Sequence, residues 1–338
     1  MRHLLLSAVL ALAPVIAPAQ DSKPVIERVV AEHILPRFQL LAETSAQLQT
    51  AAQDDCSPES QSLRTAYSDA FDAWIQASHL RFGPTEVNDR AFALAFWPDS
   101  RGATPRSLTA LLTDKDPAIT SPATYAQVSI AARGFYAMEF LIYDAGITET
   151  GTPDDRCTLI QTVTADIATT SAAIFEDWQT DYARRLLSPD TDGTYRSQEE
   201  VLQELFKALT TGLEFTSDTR LGRPLGTFER PRPTRAESWR SGRSARHVAL
   251  SLTALRDLAT QLARNDAEIA ERIDASFERS LTLLTELDDP IFAGVATPQT
   301  RLKVEVLQQS IDATRDIVRG ELGPTLGVAA GFNSLDGD

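Results

Sequence analysis

The chain has 338 residues, 43% hydrophobic and 23% charged, with 32 Lys and Arg against 47 Asp and Glu for a formal charge of −15. That length holds one large or two ordinary domains, and the apolar share excludes a disordered chain. The acidic balance excludes a nucleic-acid binder, which neutralises phosphates with clustered Lys and Arg, and four histidines are too few for a His-rich zinc or multi-haem protein.

Residues 1–19 read as an export signal. Arg2 and His3 precede an apolar run over 4–16, and Ala17-Pro18-Ala19 supplies the small residues for a cut after Ala19. The run is interrupted by Pro14 and is shorter than the roughly 20 apolar residues of a bilayer span. No cysteine follows the cut for a lipid anchor. The expectation is a periplasmic protein that does not span the membrane.

Beyond the leader, apolar residues recur at spacings of three and four, the period of helices and not of strands. Helices are predicted over 26–51, 61–80, 125–143, 158–187, 198–213, 235–264, 267–287 and 300–319. In 61–80, Leu63, Ala66, Tyr67, Ala70, Phe71, Trp74, Ile75 and Ala77 form one broad face. Ser57-Pro58-Glu59, Ser121-Pro122 and Thr297-Pro298 carry a capping oxygen followed by proline, a helix-start signal. The fold class is all-α, built from bundled helices.

The breaks between helices carry their own information. Cys56 and Cys157 each lie in an acidic, turn-rich stretch before a helical pattern, and two lone cysteines in an oxidising compartment are expected to pair. The segment 83–105, with Phe92, Phe96 and Trp97, is too long and apolar for an exposed linker and is expected to fold over a surface or a site. The turn Ser188-Pro189-Asp190-Thr191-Asp192-Gly193 divides the chain into bundles at 20–190 and 191–338. Trp74 and Trp239 flank the long breaks of the two halves and hint at pseudo-symmetry, but the identity between the halves is too weak to define a repeat. The irregular stretch 220–234 begins a run of arginines, Arg220, Arg223, Arg230, Arg232, Arg235, Arg240 and Arg243, which forms either an anion-binding rim or a counter-surface for the acidic remainder.

The sharpest local feature is the apolar helix 133–143. At 100° per residue, Tyr136, Glu139 and Tyr143 share one stripe, so a carboxylate sits between two phenols. Such a carboxylate needs a partner or shifts its pKa. Gly134 costs helix stability and is expected to permit close approach of another backbone. From these residues alone the helix is either a core helix with one satisfied glutamate or the wall of a site.

Gly134-Phe135-Tyr136-Ala137-Met138-Glu139 resembles the Gly-x-His-x-x-Glu hallmark of the imelysin-like family, also called the M75 peptidases, with Tyr136 in the histidine position. The resemblance runs along the whole chain after the leader. It takes in the Trp74 helix leading into Phe82-Gly83-Pro84, the Phe96-Trp97-Pro98 loop, Trp239-Arg240-Ser241-Gly242-Arg243-Ser244 and the final Gly331-Phe332-Asn333-Ser334-Leu335-Asp336-Gly337-Asp338. It implies two packed helical bundles with the motif helix at a site between them, in exported bacterial proteins tied to iron regulation or uptake. A metallopeptidase activity is attached to the family's name, with the motif histidine and glutamate as metal ligands.

Only Glu139 carries over unchanged. An imidazole ligates zinc or ferrous iron as it stands, whereas a phenol with a pKa near 10 must first lose its proton. A zinc hydrolase uses three protein ligands and a water, and after the leader the histidines are His33, His79 and His247, with no His-Glu-x-x-His. The expectation is therefore a non-enzymatic protein that binds a ligand or metal between its bundles, in iron acquisition. Tyr136 and Glu139 are the candidate ligands, a hard-oxygen pair suited to ferric iron, with Glu139 as the metal ligand. Gly134, Tyr143, Trp239, Arg240, Ser241 and Ser244 are expected around the site, the two serines as hydrogen-bond donors and Arg240 neutralising Glu139. His79 is read as capping a helix C-terminus and His247 as partly solvated. The partner is a small ligand, a metal, or a periplasmic or outer-membrane protein. Two alternatives stand beside this reading: a metal-dependent peptidase using Glu139, and a partner-binding protein whose ancestral metal site is dead.

Overall fold

A computed structural model of the chain describes residues 22–328. The segment 1–19 expected to be an export signal and the family-like terminal piece 331–338 lie outside them. Helix α1 (Lys23–Arg28) runs through a π-helical turn (Val29–Ile34) into α2 (Leu35–Asp54). There follow α3 (Gln61–Ala77), the short α4 (Arg90–Leu94), α5 (Ala103–Thr113) and α6 (Gly134–Tyr143). Then α7 (Pro153–Asp177) passes through a second π-helical turn into α8 (Ala183–Leu187). After the 188–197 turn come α9 (Gln198–Glu214), α10 (Ser244–Leu262), α11 (Ala267–Leu287) and α12 (Pro298–Ile317). Among the described residues the only β pairing is an isolated bridge between Thr227 and Arg230, so the chain is all-α.

Polar caps fix several of these starts. Ser60, Thr152, Ser197 and Asp266 accept from the first-turn amides of α3, α7, α9 and α11; α12 opens at Thr297-Pro298 as predicted, but with no cap bond from the Thr297 hydroxyl. The helices form two sets. In the first, α2 packs on α3 and α7, and α6 lies on α7. In the second, α11 packs between α10 and α12, while α9 contacts both α10 and α12. Contacts of α3 with α10, and of α1 with α9 and α10, join the sets over a single continuous core.

Two predicted helices start later than their periodicity suggests. Over 125–143 the backbone makes one turn at Pro122–Tyr125, a 3₁₀ turn at Ile130–Ala132 and an extended residue at Arg133, and only then enters α6 at Gly134. Gly134 has φ +75°, and a Cβ there would stand 2.1 Å from the Leu94 carbonyl oxygen and 2.3 Å from that of Ala93. The expected close approach is therefore real, with the C-terminal end of α4 as the other backbone. Over 235–264 the helix begins at Ser244, because positive φ at Ser238 and Gly242 folds 236–243 into a loop. Cys56 and Cys157 form the expected disulfide, Cα to Cα 5.2 Å, and tie the end of α2 to the first turns of α7.

Candidate functional site

A cleft of about 190 Å³ opens where the two helix sets meet. One wall is the 96–105 segment, which carries Trp97; the floor is the Tyr136, Glu139 and Phe140 face of α6; the opposite wall comes from Arg223 and 234–240. Of the long segment 83–105, the part from Phe96 to Pro105 lines this cleft, while Phe92 is exposed.

Beneath the cleft lies a buried charge network. The Tyr136 phenol donates a short hydrogen bond to Glu237 Oε1, and Arg220 Nε donates to Glu237 Oε2 at 2.7 Å. His247 Nδ1 lies 3.2 Å from the same oxygen, in a geometry short of a full hydrogen bond, with its ring edge-on to Phe71 at 4.5 Å. All four side chains are buried. Burial alone would raise the Glu237 carboxyl, but the Arg220 charge, with His247 and the Tyr136 phenol, holds it at about 2. Burial, then the Glu237 charge, pushes the Tyr136 phenol well above its ordinary value. A π-helical turn at the end of α9 (Phe215–Leu221) turns Arg220 inward, where Thr216 and Ser251 also accept from its Nη1.

Glu139 is satisfied by a different partner from the ones its helix stripe suggests. Its Oε1 accepts from the Ser241 amide at 3.0 Å and the Ser241 hydroxyl at 2.8 Å. Burial pushes its carboxyl up, and the two Ser241 donors offset only part of that. Arg240 does not pair with Glu139: its Nε bonds Asp144 Oδ2 at 2.7 Å, and its guanidinium stands 4.0 Å from the Phe140 ring centre and 4.6 Å from that of Trp239.

The structure brings Tyr136, Glu139, Trp239, Arg240 and Ser241 to the cleft or its immediate border. It does not bring Tyr143, whose ring packs 6.0 Å from Tyr67 under the Arg64 guanidinium. Nor does it bring Ser244, which is buried in the first turn of α10 with no partner for its hydroxyl. Gly134 acts through the backbone packing already described.

Two histidine readings are corrected. His247 is fully buried, because α10 turns it onto Phe71 and Glu237. His79 does not cap α3. It is buried with Nε2 2.8 Å from His33 Nε2, while His33 Nδ1 lies 2.8 Å from Asp257 Oδ2. With Asp257 accepting from His33 Nδ1–H, His33 Nε2 is the acceptor and His79 Nε2–H the donor. Burial holds His33 down at about 4 and His79 lower than its ordinary value, so both rings are neutral at pH 7.

Sequence reasoning missed Glu237, Arg220 as its partner, and Asp144 as the partner of Arg240. One signal was present: Glu237 directly precedes Ser238-Trp239-Arg240 and is the one acidic residue in the arginine-rich 230–243 stretch.

Fold and site together define an all-α protein with a polar cleft where two helix sets join. The chain belongs to the imelysin family: the family model for imelysin, peptidase M75, matches residues 34–318. Iron-regulated protein A of Synechococcus elongatus is 24% identical over 323 residues, covering 88% of this chain and 85% of its own. An imelysin-like protein from Psychrobacter arcticum 273-4 superposes with a TM-score of 0.79 at 20% identity, over 96% of this chain and all of the other. An iron-regulated protein A precursor from Parabacteroides distasonis gives a TM-score of 0.75 at 10% identity, over 90% and 96%.

A metal at the motif position does not fit the residues present. The Tyr136 oxygen keeps its proton and donates it in a hydrogen bond to Glu237, and both Glu237 oxygens are engaged by Tyr136 and Arg220. Glu139 is then a lone carboxylate, and among the described residues no group of three or more His, Cys, Asp and Glu side chains converges as a metal site.

Proposed function

We propose that this chain is an exported, non-enzymatic binding protein that serves iron acquisition by holding a ligand in the cleft between bundles of residues 20–190 and 191–338. One observation carries this reading: a charge network closed on itself by Arg220 lies directly under an open, tryptophan-lined cleft. The network leaves no vacant position for a catalytic metal, while the cleft retains the shape and mixed polarity of a ligand site. Iron is supported by the name of the Synechococcus relative, iron-regulated protein A. Export is supported by the leader-like 1–19 segment and by the Cys56–Cys157 disulfide, a bond favoured outside the cytosol.

The test is a deletion strain grown with iron chelated, together with metal analysis of protein purified from the periplasm. The strain is expected to grow more slowly than its parent and to be restored by the wild-type gene but not by Trp97→Ala. The protein is expected to carry no stoichiometric iron or zinc. Growth indifferent to the deletion would overturn the iron role, and stoichiometric metal that Glu139→Ala loses would overturn the metal-free site.

A further inference from the structure

In a chain of net charge −15, the mouth of the cleft holds two guanidinium groups with no acid beside them. Among the described residues no carboxylate lies within ion-pair distance of Arg223 or Arg235. Arg223 Nη2 reaches only Ser100 Oγ, at 3.3 Å, its Nε is buried without a partner, and its guanidinium stands 5.8 Å from the Trp97 ring centre. Burial and the Arg235 charge push the Arg223 guanidinium below its ordinary value, as expected for two like charges facing one space.

The other charged groups of the mouth are already committed. Arg240 belongs to Asp144, and Asp99 accepts from the amides of Ala103 and Thr104 at the start of α5. At the floor, Glu139 Oε1 takes both Ser241 donors, and among the described residues no donor reaches its Oε2. Ser238, also on the cleft, has a buried hydroxyl without a partner and a backbone at φ +50°, a strained conformation of the kind found at ligand clamps. The cleft therefore offers, in its lining, two guanidinium groups without acids, a carboxylate acceptor and two indole rings. Its volume is below that of drug-sized sites, which sets a small occupant.

We propose that the cleft takes a small planar organic acid, its carboxylate gripped by Arg223 and Arg235, its body against Trp97 and Trp239, and a hydroxyl or ammonium donor on Glu139. Guanidinium forks match a carboxylate in shape as well as charge, and an anion between them removes the repulsion of two unpaired arginines. This inference rests on the ligand-binding reading above and names the ligand class at the same cleft.

The test is isothermal titration of 4-hydroxybenzoate into the full chain at low ionic strength, with 4-hydroxybenzamide and inorganic phosphate as comparisons. Saturable 1:1 binding of the acid is expected. Binding is expected to be about tenfold weaker or worse for the amide, and for the acid with Arg223→Ala, as for a lost hydrogen bond to a charged group. Arg235→Ala, at an exposed position, repeats the test without disturbing the core. No binding of the acid, binding unchanged in both arginine variants, or binding of phosphate alone would each overturn the proposal. An amide that binds as tightly as the acid overturns the anion assignment while leaving the cleft a ligand site. Failure of the broader reading is seen separately, in the iron-limited growth experiment.

Discussion

Glu237 holds its charge among three partners, and that arrangement sets the stability of the site. Its carboxyl sits at about 2 in the folded protein against an ordinary 4.5. A depressed carboxyl favours folding fully above pH 4.5, and that contribution drains away as the pH falls from 4.5 through about 2. Glu237→Gln removes the charge and leaves Arg220 buried and uncompensated, which costs about 3–5 kcal/mol. Urea unfolding of the variant at pH 7 is expected to show that loss, with a smaller gap from wild type at pH 3; equal stability at pH 7 would show that the network does not stabilise the fold. Glu237 was hard to find from sequence because its partners are remote, with Tyr136 on α6 and Arg220 in the π-helical turn after α9. Glu139 was legible as a buried carboxylate needing a partner. That the partner is Ser241 was not, because a loop 102 residues away supplies it.

At the scale of elements, α6 is placed by its first residue. Gly134 combines φ +75° with a backbone-to-backbone approach against α4, so no other residue satisfies both demands. An alanine there meets the strain of positive φ, about 1–3 kcal/mol, and an overlap with two carbonyl oxygens that costs a further 1–3 kcal/mol or more. Gly134→Ala is expected to lower stability by about 3 kcal/mol or more in chemical denaturation and to displace Tyr136 and Glu139 from the cleft floor. A variant as stable as wild type would show that α4 moves aside at little cost. The need for this glycine could be read from an apolar helix, but the late start of α6 could not. Apolar spacing reports which faces are buried, and 125–133 keeps that spacing while two short turns bury Tyr125, Ala131 and Ala132 in its place. The same holds for 235–264, where periodicity continued through a loop bent by Ser238 and Gly242.

Across the whole molecule, the two helix sets are joined by polar contacts as well as by the continuous core. Tyr136 to Glu237, Glu139 to Ser241, Asp144 to Arg240, Asp72 to Arg243 and Arg246, and His33 to Asp257 all cross between them. The break at 188–193 was readable as a turn, but these cross-links come from side chains far apart in the chain and were not. They favour unfolding as one cooperative unit, and the disulfide gives a way to test this. The Cys56–Cys157 bond closes a loop of 101 residues wholly within the first set, and a loop of that length restricts the unfolded chain by about 4–5 kcal/mol. If the sets are coupled, removing a bond from one lowers the stability of both. Calorimetry of a Cys56→Ser, Cys157→Ser double variant is expected to show a single transition moved down in temperature. Two transitions, only one of them shifted, would show instead that residues 20–190 and 191–338 unfold independently and that the cleft between them opens without loss of either bundle.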